Sequence, residues 1–420
     1  VGQKCLINRD CDSFVCTSGK CQYAHLSVSS GQTVVFDKIA PLGRGQVKDI
    51  ALAALTLNSK TEAATFTAGR EVLLIYMQGT TDQLKSIGNY ELLKVKEVSG
   101  EVVTLTTPPT KHYGNATGNT KIIDQLVFLI EIPTYSDITV SGNLIAQAWN
   151  GTPNALGIIA LRATGKLRIE ATGAIRADHL GYRSDAFTCN GVSGRPGEST
   201  LPRPVRPTGE CYYNNPTNQP NQGGGGGALS SCNTYNCSTQ QIGGSGGGAS
   251  YATSGTAGNT NGNLHLGGLP GLLYGQTDLS QIFLGSGGGT GAGGYSGPGT
   301  GTPGGHGGGL ILLLATEIEV LGHISANGQN GGDNHNCAPR HGSGSGGGGS
   351  GGSIYISAPK LTLPANVQVS AIGGQGGCLG GGTGGHGRIR LDYSSLNGQT
   401  YPNGSPALTQ PQAYLGSANK

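Results

Sequence analysis

The chain of 420 residues is long enough for two or three domains, yet only 12% of it is charged, about half the usual share. Helix surfaces need Glu, Lys and Arg, so this shortage argues against a helical protein and for an all-β one. Twenty-six basic residues against 23 acidic ones leave a net charge of +3, which predicts no nucleic-acid partner.

The amino end carries Cys5, Cys11, Cys16 and Cys21 within residues 1–24. This stretch has too few apolar residues for a core, so cross-links must hold it. Two disulfides with three possible connectivities fit; zinc is the competing reading, disfavoured by the absence of C-x2-C spacing and of a histidine within the module. The remaining cysteines, Cys189, Cys211, Cys232, Cys237, Cys337 and Cys378, fall in loop-like stretches and are further disulfide candidates, which implies an oxidising compartment. Val1 in place of a methionine predicts a mature chain whose export signal has been removed. The longest apolar run, 310–315, is far below the roughly 18 residues of a membrane span, so no membrane insertion is expected.

Residues 25–135 show strand-like alternation at 32–36, 71–76, 92–98 and 102–106, with glycines between. These predict short antiparallel strands, a hairpin turn at Ser99-Gly100 and one helical turn near 81–87, together a β-barrel or sandwich. From about Tyr135 a loose repeat takes over. Residues 157–177 read GIIALRATGKLRIEATGAIRA, 309–328 read GLILLLATEIEVLGHISANG and 352–374 read GSIYISAPKLTLPANVQVSAIGG, with partial copies at 138–146 and 387–393. Such a unit cannot bury its apolar face alone, so residues 136–395 are expected to stack as a β-solenoid-like domain. LILLLA predicts a strand buried on both faces.

Of the 78 glycines, 57 lie from Gly223 onward, in runs at 223–227, 243–248, 285–294, 304–309, 342–352 and 373–387. Ordering them costs entropy that only backbone hydrogen bonds can offset. Two arrangements meet that demand: a bundle of polyglycine-II strands, or irregular loops fixed at their ends and by disulfides. Residues 396–420, with Pro402, Pro406 and Pro411, read as an extended arm lying on this domain or on a neighbouring copy.

Several stretches, among them 69–80 (GREVLLIYMQGT), 88–105 (GNYELLKVKEVSGEVVTL), 132–142 (IPTYSDITVSG), 148–152 (AWNGT), 157–164, 278–289 (DLSQIFLGSGGG) and 384–393 (GGHGRIRLDY), resemble a bacterial family of large glycine-rich surface proteins. These are the adventurous gliding motility proteins and glycine-rich adhesins. The segment 5–22 is similar to short cysteine repeats of exported proteins in such bacteria. The resemblance covers roughly residues 1–24 and 65–395 and implies a cell-surface or extracellular structural role. The chain is shorter than the family pattern and shows no anchor, which favours a released or polymerised subunit.

Chemistry-bearing motifs are few. There is no G-x-x-x-x-G-K-[ST] loop, and GxGxxG-like spacings at 285–294 follow from glycine abundance alone. The cluster Asp333, His335, Cys337 and His341 could ligate a metal but reads better as a polar loop, and His306 and His386 as hydrogen-bonding fillers among glycines. The acids Glu317, Glu319, Asp333 and Asp392 are sparse and lie in different units, which suggests no hydrolytic pair. No cofactor and no enzyme activity are expected. Asn115, Asn150, Asn236 and Asn403 match the N-glycosylation pattern, although Pro153 follows the Asn150 site. The expected function is a self-assembling extracellular subunit whose partner is itself. The alternative is an adhesin that binds surface glycans through glycine-rich loops and tyrosines such as Tyr212, Tyr213, Tyr251 and Tyr295.

Overall fold

The computed structural model describes residues 14–17, 20–39, 42–80, 84–114, 122, 124–184, 194–201, 243–259, 267–292, 302–333, 344–403 and 409–418. The chain is all-β, as the composition predicts: among the described residues the α-helix is a single turn, Lys60–Ala63, capped by the Ser59 hydroxyl accepting from the Glu62 amide.

The repeat forms a parallel β-solenoid with three columns of strands. The first column runs through Thr134–Tyr135, Ile158–Ala163, Leu310–Leu314, the first half of Ser353–Thr362, the first half of Arg388–Leu396 and Tyr414–Ser417. The second runs through Leu26–Val28, Ile138–Val140, Lys166–Ile169, Glu317–Val320 and the second halves of the same two long strands. The third joins Thr33–Val35, Asn143–Ile145, Ala174–Arg176, His323–Ser325, Gln368–Ser370 and Thr409–Gln410. In-register stacking places like on like. Leu26, Ile138, Leu167, Ile318, Leu361 and Leu396 form one buried interior ladder. On the outer face charges alternate in sign, with Glu317 between Lys166 (3.0 Å) and Lys360 (3.1 Å).

Two strands within the stretch 25–135 assigned to the barrel belong to the solenoid instead. Leu26–Val28 and Thr33–Val35 form its first rung, pairing in parallel with Ile138–Val140 and Asn143–Ile145. The barrel is inserted between the first two rungs, and this long interruption hides the first copy of the repeat. It is a closed six-stranded barrel of Arg44–Ala51, Ala54–Leu57, Glu71–Gln78, Tyr90–Ser99, Val102–Leu105 and Leu126–Glu131. Of the expected helical turn near 81–87, residues 81–83 lie outside the described residues and 84–88 form a turn.

Alternation along Glu71–Gln78 explains how the barrel docks. Val72, Leu74 and Tyr76 fill the barrel, while Leu73, Ile75 and Met77 face the solenoid. They meet Leu310, Leu312 and Leu314, whose neighbours Ile311 and Leu313 point into the solenoid core. The LILLL run is therefore buried on both faces, as its sequence predicts. The ion pair of Arg162 with Glu71 closes the edge of this contact.

The glycine runs that are described form the polyglycine-II bundle. The segment 344–352 occupies its centre and rotates its hydrogen bonds with a period of three. Gly344, Gly347 and Ser350 donate to Ala292, Gly289 and Ser286, while Gly346, Gly349 and Gly352 donate to Gly332, Gln329 and Ala326. Gly348 and Gly351 donate to Gly382 and Gly385. Three further segments donate into it: Gly246 to Ser345, Gly305 to Gly347 and Gly377 to Gly346. The central strand thus has six neighbours and spends every amide on one of them. Buried serines join the scheme, as when Ser350 Oγ accepts from the Ser286 amide at 2.8 Å.

Among the described residues the bundle ends at one surface on 267–273. Gly268 and Gly271 donate inward to Ser245 and Gly248, while Leu269, Leu272 and Leu273 turn outward, 40%, 56% and 58% exposed. Of the two positions expected for the carboxyl-terminal arm, its described residues take the one on their own domain. Gln399–Thr400 folds back antiparallel on the second column, and Thr409–Gln410 and Tyr414–Ser417 each add a strand in parallel.

Candidate functional site

The outer face of the first column changes character along the stack. Where the barrel covers it, Ala160 and Leu312 are apolar. Beyond the barrel the same register position carries Tyr355, Arg390 and Tyr414. The Arg390 guanidinium lies between two rings, 4.9 Å from the centre of Tyr355 and 5.7 Å from that of Tyr414. Asp392 grips it through two bonds of 2.8 Å and also accepts the Tyr355 hydroxyl at 2.7 Å. Burial opposes the Arg390 charge, but the Asp392 carboxylate more than offsets it and holds the guanidinium pKa above its ordinary value. Burial, then Asp392, push the Tyr355 phenol up.

The ladder ends at Tyr414, which is 41% exposed. Its strand pairs with residues 390–393 of the preceding strand, so among the described residues Arg388 and Ile389 have no strand beside them on that side. The gap is a cleft of about 250 Å³, lined by Thr277, Arg388, Ile389, Gln412, Ala413 and Tyr414 among others. Arg388 donates to the carbonyls of Tyr274 (3.0 Å) and Gly275 (3.2 Å), and its guanidinium carbon is 5.3 Å from the Tyr251 ring centre. A second cleft, of about 210 Å³, lies between Lys85 and Ile87 of the barrel side and Tyr274, Gln281 and Phe283.

Tyr251, expected to meet glycans at a loop tip, is fully buried. It stacks on Tyr274 at 4.6 Å, meets Phe283 edge-on at 5.8 Å and bonds Ser353 Oγ at 2.9 Å, so it plugs the junction of barrel, bundle and solenoid. Tyr212, Tyr213 and Tyr295 lie outside the described residues. Among the cysteines, Cys378 is disulfide-bonded, and Cys16 and Cys21 are backbone register partners in the hairpin Phe14–Thr17/Lys20–Tyr23. Cys5, Cys11, Cys189, Cys211, Cys232, Cys237 and Cys337 lie outside the described residues.

Asn150 is exposed, and its Oδ1 accepts from the Thr152 amide and hydroxyl. Asn403 is exposed; Asn115 and Asn236 lie outside the described residues. Asp333 Oδ1 accepts from the Cys378 amide at 2.7 Å, and His335, Cys337 and His341 lie outside the described residues. Among the described residues no three metal-ligating side chains gather. His306 Nδ1 accepts from the Ser184 amide at 3.0 Å, a hydrogen bond within the glycine-rich region. Glu317 and Glu319 sit on one outer face. Hydrogen bonds from Lys166 first, then from Lys360 and Arg168, lower their pKa values and favour ionised carboxylates.

The Tyr355–Arg390–Tyr414 ladder has a sequence signal: it appears once the repeat copies are aligned. It stays hidden while the proline-bearing tail is read as an arm rather than as a last rung.

No known family profile and no curated protein matches the chain. Among solved structures it is similar to the Gp54 tailspike of Acinetobacter baumannii bacteriophage AP22, solved in complex with A. baumannii capsular saccharide. The overlap covers 37% of this chain and 28% of that one, with 12% identity and a TM-score of 0.18. It is also similar to the tailspike gp61 of Pseudomonas phage phi297, over 36% of this chain and 25% of that one, at 16% identity and a TM-score of 0.15. The chain thus spans about a quarter of the length of either tailspike, and overlaps this loose say nothing of its function.

Proposed function

We propose that the protein is an extracellular structural subunit that assembles with copies of itself at the bacterial cell surface. The observation that supports this best is the open state of the solenoid at its ends. Among the described residues, Leu26–Val28 and Thr33–Val35 at one end, and Tyr414–Ser417 at the other, each pair on one side only. Such edges are templates for another strand. The disulfide at Cys378 fits an oxidising exterior, and the family resemblance of the sequence points the same way.

Gln399–Thr400 caps the second column with a strand running the other way, so a neighbouring copy joins through a new pairing rather than by plain continuation of that column. Negative-stain images of concentrated protein test the reading. End-to-end oligomers or filaments are expected, and dispersed monomers at every concentration would rule them out.

A second reading, binding of surface glycans, is favoured by the half-open ring of Tyr414 and the cleft beside it.

A further inference from the structure

Arg388 and Arg390 lie on one strand and one face, yet their electrostatic states differ. Arg390 is neutralised by Asp392 at 2.8 Å. Arg388 bonds two backbone carbonyls and lies over an aromatic ring, and among the described residues no carboxylate pairs with it. A partly buried charge held only by dipoles retains attraction for an anion.

The surroundings are donors as well. The Arg388 amide donates inward to Gly352, so the alternation of a parallel strand turns the Ile389 amide the other way, toward the cleft where no neighbouring strand lies. Gln412 and Thr277 complete the rim, and among the described residues no acidic residue lines it. One wall is apolar, the half-exposed ring of Tyr414. A cavity of about 250 Å³ is below the roughly 300 Å³ at which drug-sized pockets begin and suits a single ring of a longer chain.

Resting on the glycan-binding reading, we infer that this cleft binds an acidic saccharide, with the carboxylate of a sugar ring at Arg388 and the ring's C–H face on Tyr414. An aromatic wall for the ring, a ring of donors for the acid and an open side for the rest of the chain are the three features such a ligand needs. The binding is non-covalent and leaves the sugar unchanged.

Calorimetric titration of the full chain with tetragalacturonate, with its methyl ester and with sialyllactose tests this. Tyr414→Ala and Gln412→Ala alter exposed side chains and leave the fold intact by circular dichroism. The expected result is binding of the two acidic sugars, at least about tenfold weaker binding of the ester, a similar loss in Tyr414→Ala, a smaller loss in Gln412→Ala, and weakening by salt. Equal binding of acid and ester that is still lost in Tyr414→Ala would overturn the acidic class while leaving glycan binding in place. Absence of binding, or binding indifferent to Tyr414→Ala, would overturn both.

Discussion

Gly347 and Gly247 approach so closely that a Cβ on Gly347 would lie 2.0 Å from the Gly247 carbonyl oxygen. The atom met is backbone, itself fixed by further glycine strands, so nothing nearby can yield. Gly347→Ala should destabilise the protein by on the order of 4 kcal/mol or more, in the range where a single change disrupts a structure. Gly31 is the control. Its φ of +75° is left-handed, but nothing lies within 4 Å of a Cβ there. Gly31→Ala should cost only about 1–2 kcal/mol, the strain of the backbone alone. Denaturant unfolding of the two variants checks this; equal losses would mean that close approach is not what the glycines supply.

The same geometry predicts hydrogen exchange. Amides at 346–352 are bonded in rotation to three neighbouring segments and are buried. They should exchange only with global unfolding, whereas the outward-turned Leu269 and Leu272 should exchange orders of magnitude faster. Uniform, coil-like exchange across 344–352 would remove the bundle as a rigid element.

These relationships were legible in the sequence only in part. The runs of glycine announce close backbone packing, but glycine-on-glycine contact carries no side-chain code. Nothing in GGSGGGAS at 243–250 names 344–352 as its neighbour. Likewise LILLL announces burial on both faces, yet does not say that Leu73, Ile75 and Met77 are what covers Leu310, Leu312 and Leu314. In Glu71–Gln78 nearly every residue is buried, so the alternation between its two environments leaves no polar trace. The candidate cleft was hidden for another reason: it forms where Tyr414–Ser417 starts two residues late beside its neighbour, a matter of register that composition does not record.

Acid should weaken the fold through Glu198. Burial raises its pKa, but the Arg183 guanidinium (3.0 Å) and the Arg183 amide (3.0 Å) overcome this and leave it lowered. A carboxylate depressed in the folded state adds stability that is fully present above its unfolded pKa of about 4.3. That stability is lost as pH falls through the lower folded value. Glu198→Gln should reduce stability near neutrality by about 1–3 kcal/mol and flatten the loss below about pH 4. Unfolding midpoints measured from pH 7 to pH 3 compare the two proteins, and parallel curves would exclude Glu198 as the source.

Alkali should weaken it through buried tyrosines. Burial pushes Tyr90, Tyr135 and Tyr251 up to about 12 each. A phenol raised in the folded state contributes stability that is complete below the unfolded value of about 10 and is lost as pH climbs toward the folded one. Tyrosinate absorbance should therefore show a fraction of phenols that ionise late, together with falling stability across that window. Ionisation of every tyrosine in one step near pH 10, with the fold intact, would contradict their burial.

Adjacent leucines in one strand should fail differently. Leu313 points into the solenoid core and Leu312 into the contact with the barrel, and both are essentially unexposed. Truncating either to alanine removes similar apolar surface and should cost about 2–5 kcal/mol. The consequences diverge because the neighbours do. Leu313→Ala leaves a cavity between Leu161 and Ile356, its partners above and below in the ladder, and should lower the unfolding transition of the solenoid. Leu312→Ala loosens the barrel contact instead, so proteolysis within residues 44–131 should quicken while exchange in the solenoid interior stays slow. If both variants gave the same proteolytic pattern, the two faces of this strand would not bury separate cores.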